Sequence, residues 1–138
     1  MSQSVFVQQD YNGLWAGLSG YNGSGYDTIR SSSVYKTLTP TSVNATSAAT
    51  VWTPASTKKV RLMNITVSSS GAGLVYVRIG VAGSGSVVIP IQFTGADTKQ
   101  IDLGNGYLAS TATTHVVELY NTTAGALTLG AFAWGTEE

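Results

Sequence analysis

The side chains that could carry out chemistry are few in this chain. The single histidine, His115, stands at the start of an apolar segment beside two valines. A Ser-His-Asp triad needs a nucleophile, a base and an orienting carboxylate held together. The stretch Gly83-Ser84-Gly85-Ser86 is superficially similar to a nucleophile turn, but it lies between two predicted strands and not before a helix. We therefore interpret it as a hairpin turn, expect no catalytic residue, and place His115 at the rim of the domain or in an interface.

The acidic residues do not form a pattern that would bind a metal or hydrolyse a glycan. They are Asp10, Asp27, Asp97, Asp102, Glu118, Glu137 and Glu138. Calcium sites usually draw several oxygen ligands from one loop, and glycosidases oppose two carboxylates across a cleft. Asp97 and Asp102 instead bracket a predicted strand, and Glu137 and Glu138 are interpreted as a solvated tail. The sequence thus predicts no metal, no cofactor and no enzymatic activity.

The charge content makes several kinds of partner improbable. Seven basic and seven acidic side chains give the 138-residue chain a net charge of zero, and only 10% of its residues are charged, against an average of about 25%. A neutral chain lacks the long-range attraction used to bind nucleic acid or an anionic membrane. Lys58, Lys59 and Arg61 cluster at the start of a predicted strand, where we interpret them as protection of a sheet edge. The chain has no cysteine, which excludes disulfides and thiol chemistry.

The position of the first basic residue bears on where the protein is made. No lysine or arginine precedes Arg30, so a secretory signal with a basic start is not expected. The longest apolar runs are far shorter than the ~20 residues of a membrane helix. We therefore expect a soluble product of the cytoplasm.

Aromatic residues and glycines are concentrated in residues 1–33, which we expect to form an extended or looped arm. Asn-Gly pairs favour turns because both residues tolerate positive φ, and the tripeptide Tyr-Asn-Gly occurs twice, beginning at Tyr11 and Tyr21. A short strand is predicted at residues 4–8. Tyr11, Trp15, Tyr21 and Tyr26 are candidate interface residues, since Tyr and Trp anchor interfaces with little loss of entropy. The alternatives are that they pack on their own domain or stack on a glycan.

Residues 34–138 are predicted to form an all-β domain. Short runs rich in β-branched and aromatic residues alternate with breaks that carry Gly, Asp, Asn or Ser. The predicted strands cover residues 34–39, 50–53, 59–67, 74–81, 86–93, 99–103, 115–121 and 126–134. Residues 107–113 lack strand alternation and are assigned to a helical turn or a loop. About eight strands without a convincing helix are typical of a jelly-roll-like two-sheet sandwich, with an immunoglobulin-like topology as the nearest alternative.

Some predicted strands carry apolar side chains on both faces. In residues 74–81 the three valines and Ile79 share one face, while Leu74 and Tyr76 lie on the other. A strand of this kind is covered twice, which suggests a subunit interface in addition to the core. Trp52 and Trp134 lie within predicted strands and are candidates for the core or for contacts between subunits.

Several strand segments and one longer motif follow one another in a recognisable order after residue 32. They are Ser33-Val34-Tyr35-Lys36, the segment 51–62 with the motif TPASTKKVRL, Ile65-Thr66-Val67-Ser68, Val75-Tyr76-Val77-Arg78 and the closing Ala131-Phe132-Ala133-Trp134-Gly135. This order resembles small virion proteins of tailed phages, of the capsid decoration (cement) or head-fibre kind. The resemblance covers roughly residues 33–136, and the N-terminal arm lies outside it.

The resemblance implies a jelly-roll-like domain that assembles as a homotrimer on the outer surface of a capsid, where added contacts clamp the coat lattice. The partners would be the major capsid protein and further copies of this chain, and the protein would be made in the host cytoplasm and carried on the virion. The alternative is a fibre or tip module that binds a receptor glycan, with Asn12, Asn22 and Asp27 beside the tyrosines of the arm.

Overall fold

The computed structural model describes residues 33–104 and 106–138, apart from the side chains of Val87 and Val88, and the backbone of four short segments before residue 33. The chain divides into two compact units, Met1–Ser32 and Ser33–Glu138. Every regular element among the described residues is a β-strand. That part of the chain contains no helix long and apolar enough to cross a membrane.

The N-terminal unit contains two antiparallel two-stranded ladders. β1 (Gln8–Gln9) pairs with β2 (Trp15–Gly17), and β3 (Ser19–Tyr21) pairs with β4 (Tyr26–Thr28). Both copies of Tyr-Asn-Gly lie outside the described residues, apart from the backbone of Tyr21, so their turn-forming role stays a prediction. The strand predicted at residues 4–8 lies outside the described residues, apart from Gln8.

The second unit consists of nine strands in its described residues. They are β5 (Ser33–Val43), β6 (Ala48–Trp52), β7 (Val60–Ser69), β8 (Gly73–Gly80), β9 (Ser86–Phe93), β10 (Asp97–Asp102), β11 (Leu108–Ala109), β12 (Val116–Asn121) and β13 (Leu127–Glu137). All eight predicted strands are present. Most of residues 107–113 form a loop, one of the two predicted alternatives. The exception is β11, which pairs with β7; its two residues are too few to produce an alternating pattern.

The strands of this unit pair in nested order, from the two ends of the unit toward its middle. Apart from the short β11, the first strand pairs with the last (β5 with β13), the second with the seventh (β6 with β12), the third with the sixth (β7 with β10) and the fourth with the fifth (β8 with β9). These pairs lie in two sheets of order β10-β7-β13-β5, with β11 beside β7, and β6-β12-β8-β9. This is the wrapping of a jelly roll, and the prediction of an all-β, two-sheet sandwich is confirmed.

The core lies between the two sheets and uses the inward face of each strand. In β8 the side chains of Val75, Val77 and Ile79 share one face, as predicted, and are buried, whereas Val81 follows the strand and is 56% exposed. Trp52 supplies the largest fully buried side chain. Each large apolar side chain buried in this way contributes about 1.5–3 kcal/mol, so alternation along the strands is what drives the sheets together.

The outward face of β8 is covered by a network of polar and aromatic side chains. Arg78 and Glu118 are direct cross-strand partners on β8 and β12, 8% and 1% exposed, with Nη2 and Oε1 separated by 2.5 Å. The other carboxylate oxygen accepts a hydrogen bond from the backbone N–H of Gly83 at 2.9 Å. The Arg78 guanidinium lies 4.0 Å from the ring centroid of Tyr120, which stacks on Tyr76. The strand is therefore covered on both faces, as its sequence indicates, within a single chain.

The same network explains the glycine-serine stretch at residues 83–86. The connection between β8 and β9 begins after Gly80, and Gly83 has a φ of 78°, a region that favours glycine. This places the Gly83 N–H against the buried carboxylate of Glu118. The interpretation of the stretch as a hairpin turn is confirmed.

The basic cluster does not protect a sheet edge, and that interpretation is wrong. β7 lies inside its sheet, between β10 and β13. Lys59 exchanges two backbone hydrogen bonds with Glu138, at 2.7 and 3.0 Å. Arg61 forms an ion pair with the same residue, with Nε 2.5 Å from Oε1, and the adjacent Glu138 carboxylate raises the pKa of Arg61 above its ordinary value. Lys59 and Arg61 instead join the C-terminal end of the chain to the start of β7.

Glu137 is not part of a solvated tail, contrary to prediction. Its Oε1 accepts a hydrogen bond from the indole Nε1 of Trp52 at 2.7 Å, and its Oε2 accepts one from the backbone N–H of Ala55 at 3.0 Å. Because Trp52 is fully buried, the carboxylate supplies the partner that an indole N–H inside a protein needs. The C-terminal strand thereby closes over the start of the TPASTKKVRL segment.

The first prediction concerns the buried ion pair. We expect Glu118→Leu to lower the free energy of unfolding by about 3–5 kcal/mol, because the guanidinium of Arg78 is left buried without its counter-charge. The double variant Arg78→Met with Glu118→Leu should recover most of that loss, since a buried pair can be replaced by apolar side chains at little cost. Urea denaturation of both variants measures the difference, and a double variant no more stable than the single one would contradict this account.

The second prediction concerns the C-terminal contact with Trp52. We expect Glu137→Ala to lower the free energy of unfolding by about 1–3 kcal/mol, because the buried indole N–H loses its acceptor. Glu138→Ala is the matched control, since the side chain of Glu138 is about half exposed, 47%, and exposed ion pairs contribute little. Equal losses in the two variants, measured by chemical denaturation, would show that the indole contact has no special role.

Candidate functional site

The outward face of the β10-β7-β13-β5 sheet carries an exposed aromatic cluster. Direct partners in an antiparallel ladder share a face, so the register allows two neighbouring outward rows to be followed across four strands. We define these two rows as the aromatic–amide face: Thr37, Phe132, Thr66 and Gln100 in one row, and Tyr35, Trp134, Asn64 and Asp102 in the next. The aromatic residues occupy β5 and β13, and the hydrogen-bonding residues lie mainly on β7 and β10.

Two aromatic rings of this face are open to solvent. Tyr35 is 61% exposed and Phe132 is 43% exposed. Their ring centroids are 5.7 Å apart and their planes are tilted by 32°. Trp134, the direct partner of Tyr35, is half-buried. Exposed large aromatic side chains grouped on one sheet face are the usual sign of a binding surface.

The other half of the face is polar and almost uncharged. The Gln100 side chain is exposed, and its Nε2 donates a hydrogen bond to Oδ1 of the buried Asn64 at 3.4 Å. Asp102 is the only charged residue in the two rows, and its Oδ1 accepts the backbone N–H of Gly104 at 2.8 Å. The face therefore offers amide and hydroxyl groups beside aromatic rings, with one carboxylate at its margin.

A shallow groove of about 300 Å³ continues the face beyond Phe132. It lies at a bulge in β5, where Thr39 and Pro40 together lie opposite the single residue Gly130 of β13. A Cβ on Gly130 would lie 2.8 Å from Ser68 Oγ and 3.2 Å from Pro40 Cγ, so the lack of a side chain allows these two residues to lie close to the backbone of β13. Pro40 is tolerated in β5 because, of the described strands, only β13 pairs with it, leaving its other side free.

A second cavity, of about 350 Å³, contains the histidine. His115 is half-buried, and its Nδ1 lies 3.4 Å from Thr111 Oγ1. Ser110 already accepts a hydrogen bond from the backbone N–H of Val60 and donates one to the Ala112 carbonyl, so its hydroxyl serves the structure. The residues that line this cavity include no carboxylate that could orient the imidazole, as a triad requires. Within the described residues no three His, Cys, Asp or Glu side chains are grouped as a metal site would need.

The four candidate interface residues of the N-terminal arm lie outside the part of the structure that describes side chains. Tyr11 lies outside the described residues, and Trp15, Tyr21 and Tyr26 are described through their backbone in β2, β3 and β4. Tyr21 and Tyr26 are direct partners in the ladder of β3 and β4. The interface role of these four residues stays a prediction. Trp52 belongs to the core, one of the two roles that the sequence left open for it.

Sequence reasoning missed the aromatic–amide face, although a signal for it was present. Tyr35 alternates with Thr37 along β5, and Phe132 and Trp134 fall on the face opposite Ala131 and Ala133 along β13. Aromatic residues that share a face with threonines, opposite a face of small or aliphatic residues, indicate outward exposure. That inference needs the pairing of β5 with β13, which the sequence did not supply.

Comparisons with protein-family models, with curated proteins and with solved structures give no match for this chain.

Proposed function

We propose that this chain is a structural virion protein: a capsid decoration (cement) protein that assembles as a homotrimer, binds the major capsid protein on the outer surface of the shell and stabilises the phage head. The observation that carries the proposal is the jelly-roll wrapping of the unit Ser33–Glu138. Viral capsid and lectin domains are among the proteins that use this fold. The wrapped unit also spans the residues over which the sequence resembles decoration proteins.

The described contacts hold one loop of the domain rigidly, which suits a protein that fixes the positions of its neighbours. The segment 53–62, which carries the most characteristic motif, is tied to the C-terminal strand by the backbone pairing of Lys59 with Glu138 and by the bond from Ala55 to Glu137. Loops held at both ends open less readily than free ones, because local opening must break those bonds. A subunit of this kind can hold neighbouring coat subunits in a fixed geometry.

Low charge also supports permanent incorporation into an assembly. With a net charge of zero, copies of the chain repel one another little, so close packing around a threefold site meets no electrostatic barrier. Apolar and hydrogen-bonded burial across the subunit boundaries would then provide the binding energy. In this proposal the N-terminal aromatic residues Tyr11, Trp15, Tyr21 and Tyr26 reach a neighbouring subunit and anchor it.

The proposal is tested by the copy number of the chain in purified virus particles. Quantitative mass spectrometry should find about as many copies of this chain as of the major capsid protein in each particle, because only the shell offers that many equivalent positions. A few copies per particle would favour a fibre or tip module, and absence from the particle would overturn the virion assignment.

The role of the N-terminal aromatic residues needs a separate test. The full-length chain with Tyr11, Trp15, Tyr21 and Tyr26 all replaced by alanine should bind capsids that lack the protein at least about tenfold more weakly, since truncation of interface aromatics commonly costs this much. The Tyr107→Ala variant is the control, because it removes an exposed tyrosine outside the arm. Undiminished capsid binding by the fourfold variant would remove the arm from the proposed interface.

A further inference from the structure

We propose that the aromatic–amide face is a binding site for an uncharged carbohydrate. The site would take a short stretch of a neutral polysaccharide, with sugar rings stacked on Tyr35 and Phe132 and hydroxyl groups bonded by the polar half of the face. The inference rests on the geometry of the β10-β7-β13-β5 sheet and does not depend on the virion assignment.

The aromatic half supplies the surface on which sugar rings stack. The C–H groups on one side of a pyranose ring are apolar and pack on the face of an aromatic ring, as other apolar groups do. Tyr35 and Phe132 are both exposed, and their ring planes are within 32° of parallel. Since both side chains project from paired strands of a sheet, they are held in place before a ligand arrives, which lowers the entropy lost on binding.

The polar half supplies the hydrogen bonds that a sugar requires. The row of Phe132 continues into Thr66 and Gln100 on the neighbouring strands. Hydroxyl and amide groups act as both donors and acceptors, which matches the hydroxyl groups of a neutral sugar. The single carboxylate, Asp102, and the absence of Lys and Arg from the two rows disfavour acidic polysaccharides, for which basic side chains would be needed.

The two rows and the adjoining groove together have the size of a small ligand. Strands lie ~4.8 Å apart and same-face rows ~6.8 Å apart, so four strands, two rows and the adjoining groove cover roughly 14 Å by 14 Å. That is on the order of 200–400 Å² with the side chains included, against about 800 Å² per partner in a standard protein interface. An oligosaccharide of a few rings covers such an area, and the groove beside Gly130 gives the face the concavity that a bound ligand uses.

Affinity electrophoresis of the full-length chain tests the inference. The native protein is run through gels that contain glucomannan, mixed-linkage β-glucan or dextran, with alginate as an anionic comparison. We expect retardation by at least one neutral polymer and none by alginate. Tyr35→Ala and Phe132→Ala should each weaken binding at least about tenfold, as truncation of an anchoring aromatic does, and Gln100→Ala should weaken it by less.

The matched control is Tyr107→Ala, which removes a tyrosine of similar exposure, 49%, that packs on Arg61 instead of lying in the two rows. This variant should bind like the native chain, and circular dichroism and thermal unfolding should show that all variants are folded. The inference is overturned if no neutral polymer retards the protein, if only alginate does, or if Tyr35→Ala and Phe132→Ala bind as the native chain does.

Incorporation into virus particles separates this inference from the proposed function. Tyr35→Ala should enter particles at the native level, because this inference gives Tyr35 a carbohydrate as its ligand and not the coat protein. Loss of incorporation or of trimers in Tyr35→Ala, without carbohydrate binding by the native chain, would identify the face as a protein interface and overturn the inference. Carbohydrate binding by a chain that is absent from particles would support the inference while the virion assignment fails.

Discussion

The pairing of β5 with β13 is the contact on which the rest of the wrapped unit depends. It joins the first long strand to the last, with Ser33 opposite Thr136 and Val43 opposite Leu127. The entropy needed to close so long a loop rises only slowly with its length, but it must be spent before the pairing contributes any stability. The other pairs lie inside this closure, which makes the contact order high and predicts slow folding relative to helical domains.

The pairing of β5 with β13 also brings together the aromatic side chains of the exposed sheet face. It sets Tyr35 beside Trp134 and Thr37 beside Phe132, so an aromatic cluster arises from two strands at opposite ends of the chain. Near the end of β13, Glu137 reaches Trp52 and Glu138 reaches Lys59 and Arg61. One strand thus completes the jelly roll, supplies the acceptor for a buried indole N–H and carries part of the proposed binding surface, and a change in its register would affect all three.

The outward faces of the two sheets differ in how many of their polar and aromatic side chains are exposed. On the β6-β12-β8-β9 sheet the outward pair Arg78 and Glu118 is buried by the turn at Gly83 and by the ring of Tyr120. Both carboxylate oxygens of Glu118 are bonded within the chain, one to Arg78 and one to the backbone N–H of Gly83. On the other sheet, Gln100, Tyr35 and Phe132 remain exposed. Surface groups that are already paired gain little from a ligand, so the exposed face is the better candidate for binding.

The sequence predicted what depends on neighbouring residues and missed what depends on distant ones. Alternation along residues 74–81 correctly grouped Val75, Val77 and Ile79 on one face of the strand, because the period of a strand is local. The role of Glu137 could not be predicted, since its partner Trp52 lies 85 positions away and a glutamate near a chain end is usually solvated. The prediction that Lys59 and Arg61 protect a sheet edge was wrong for the same reason. Whether β7 is an edge strand or an inner strand is decided by β10 and β13, which follow it in the chain.

The position of an aromatic residue within a strand is equally ambiguous in the sequence. Phe132 is as apolar as Phe93, and only the register and the packing show that Phe132 faces solvent whereas Phe93 lies in the core.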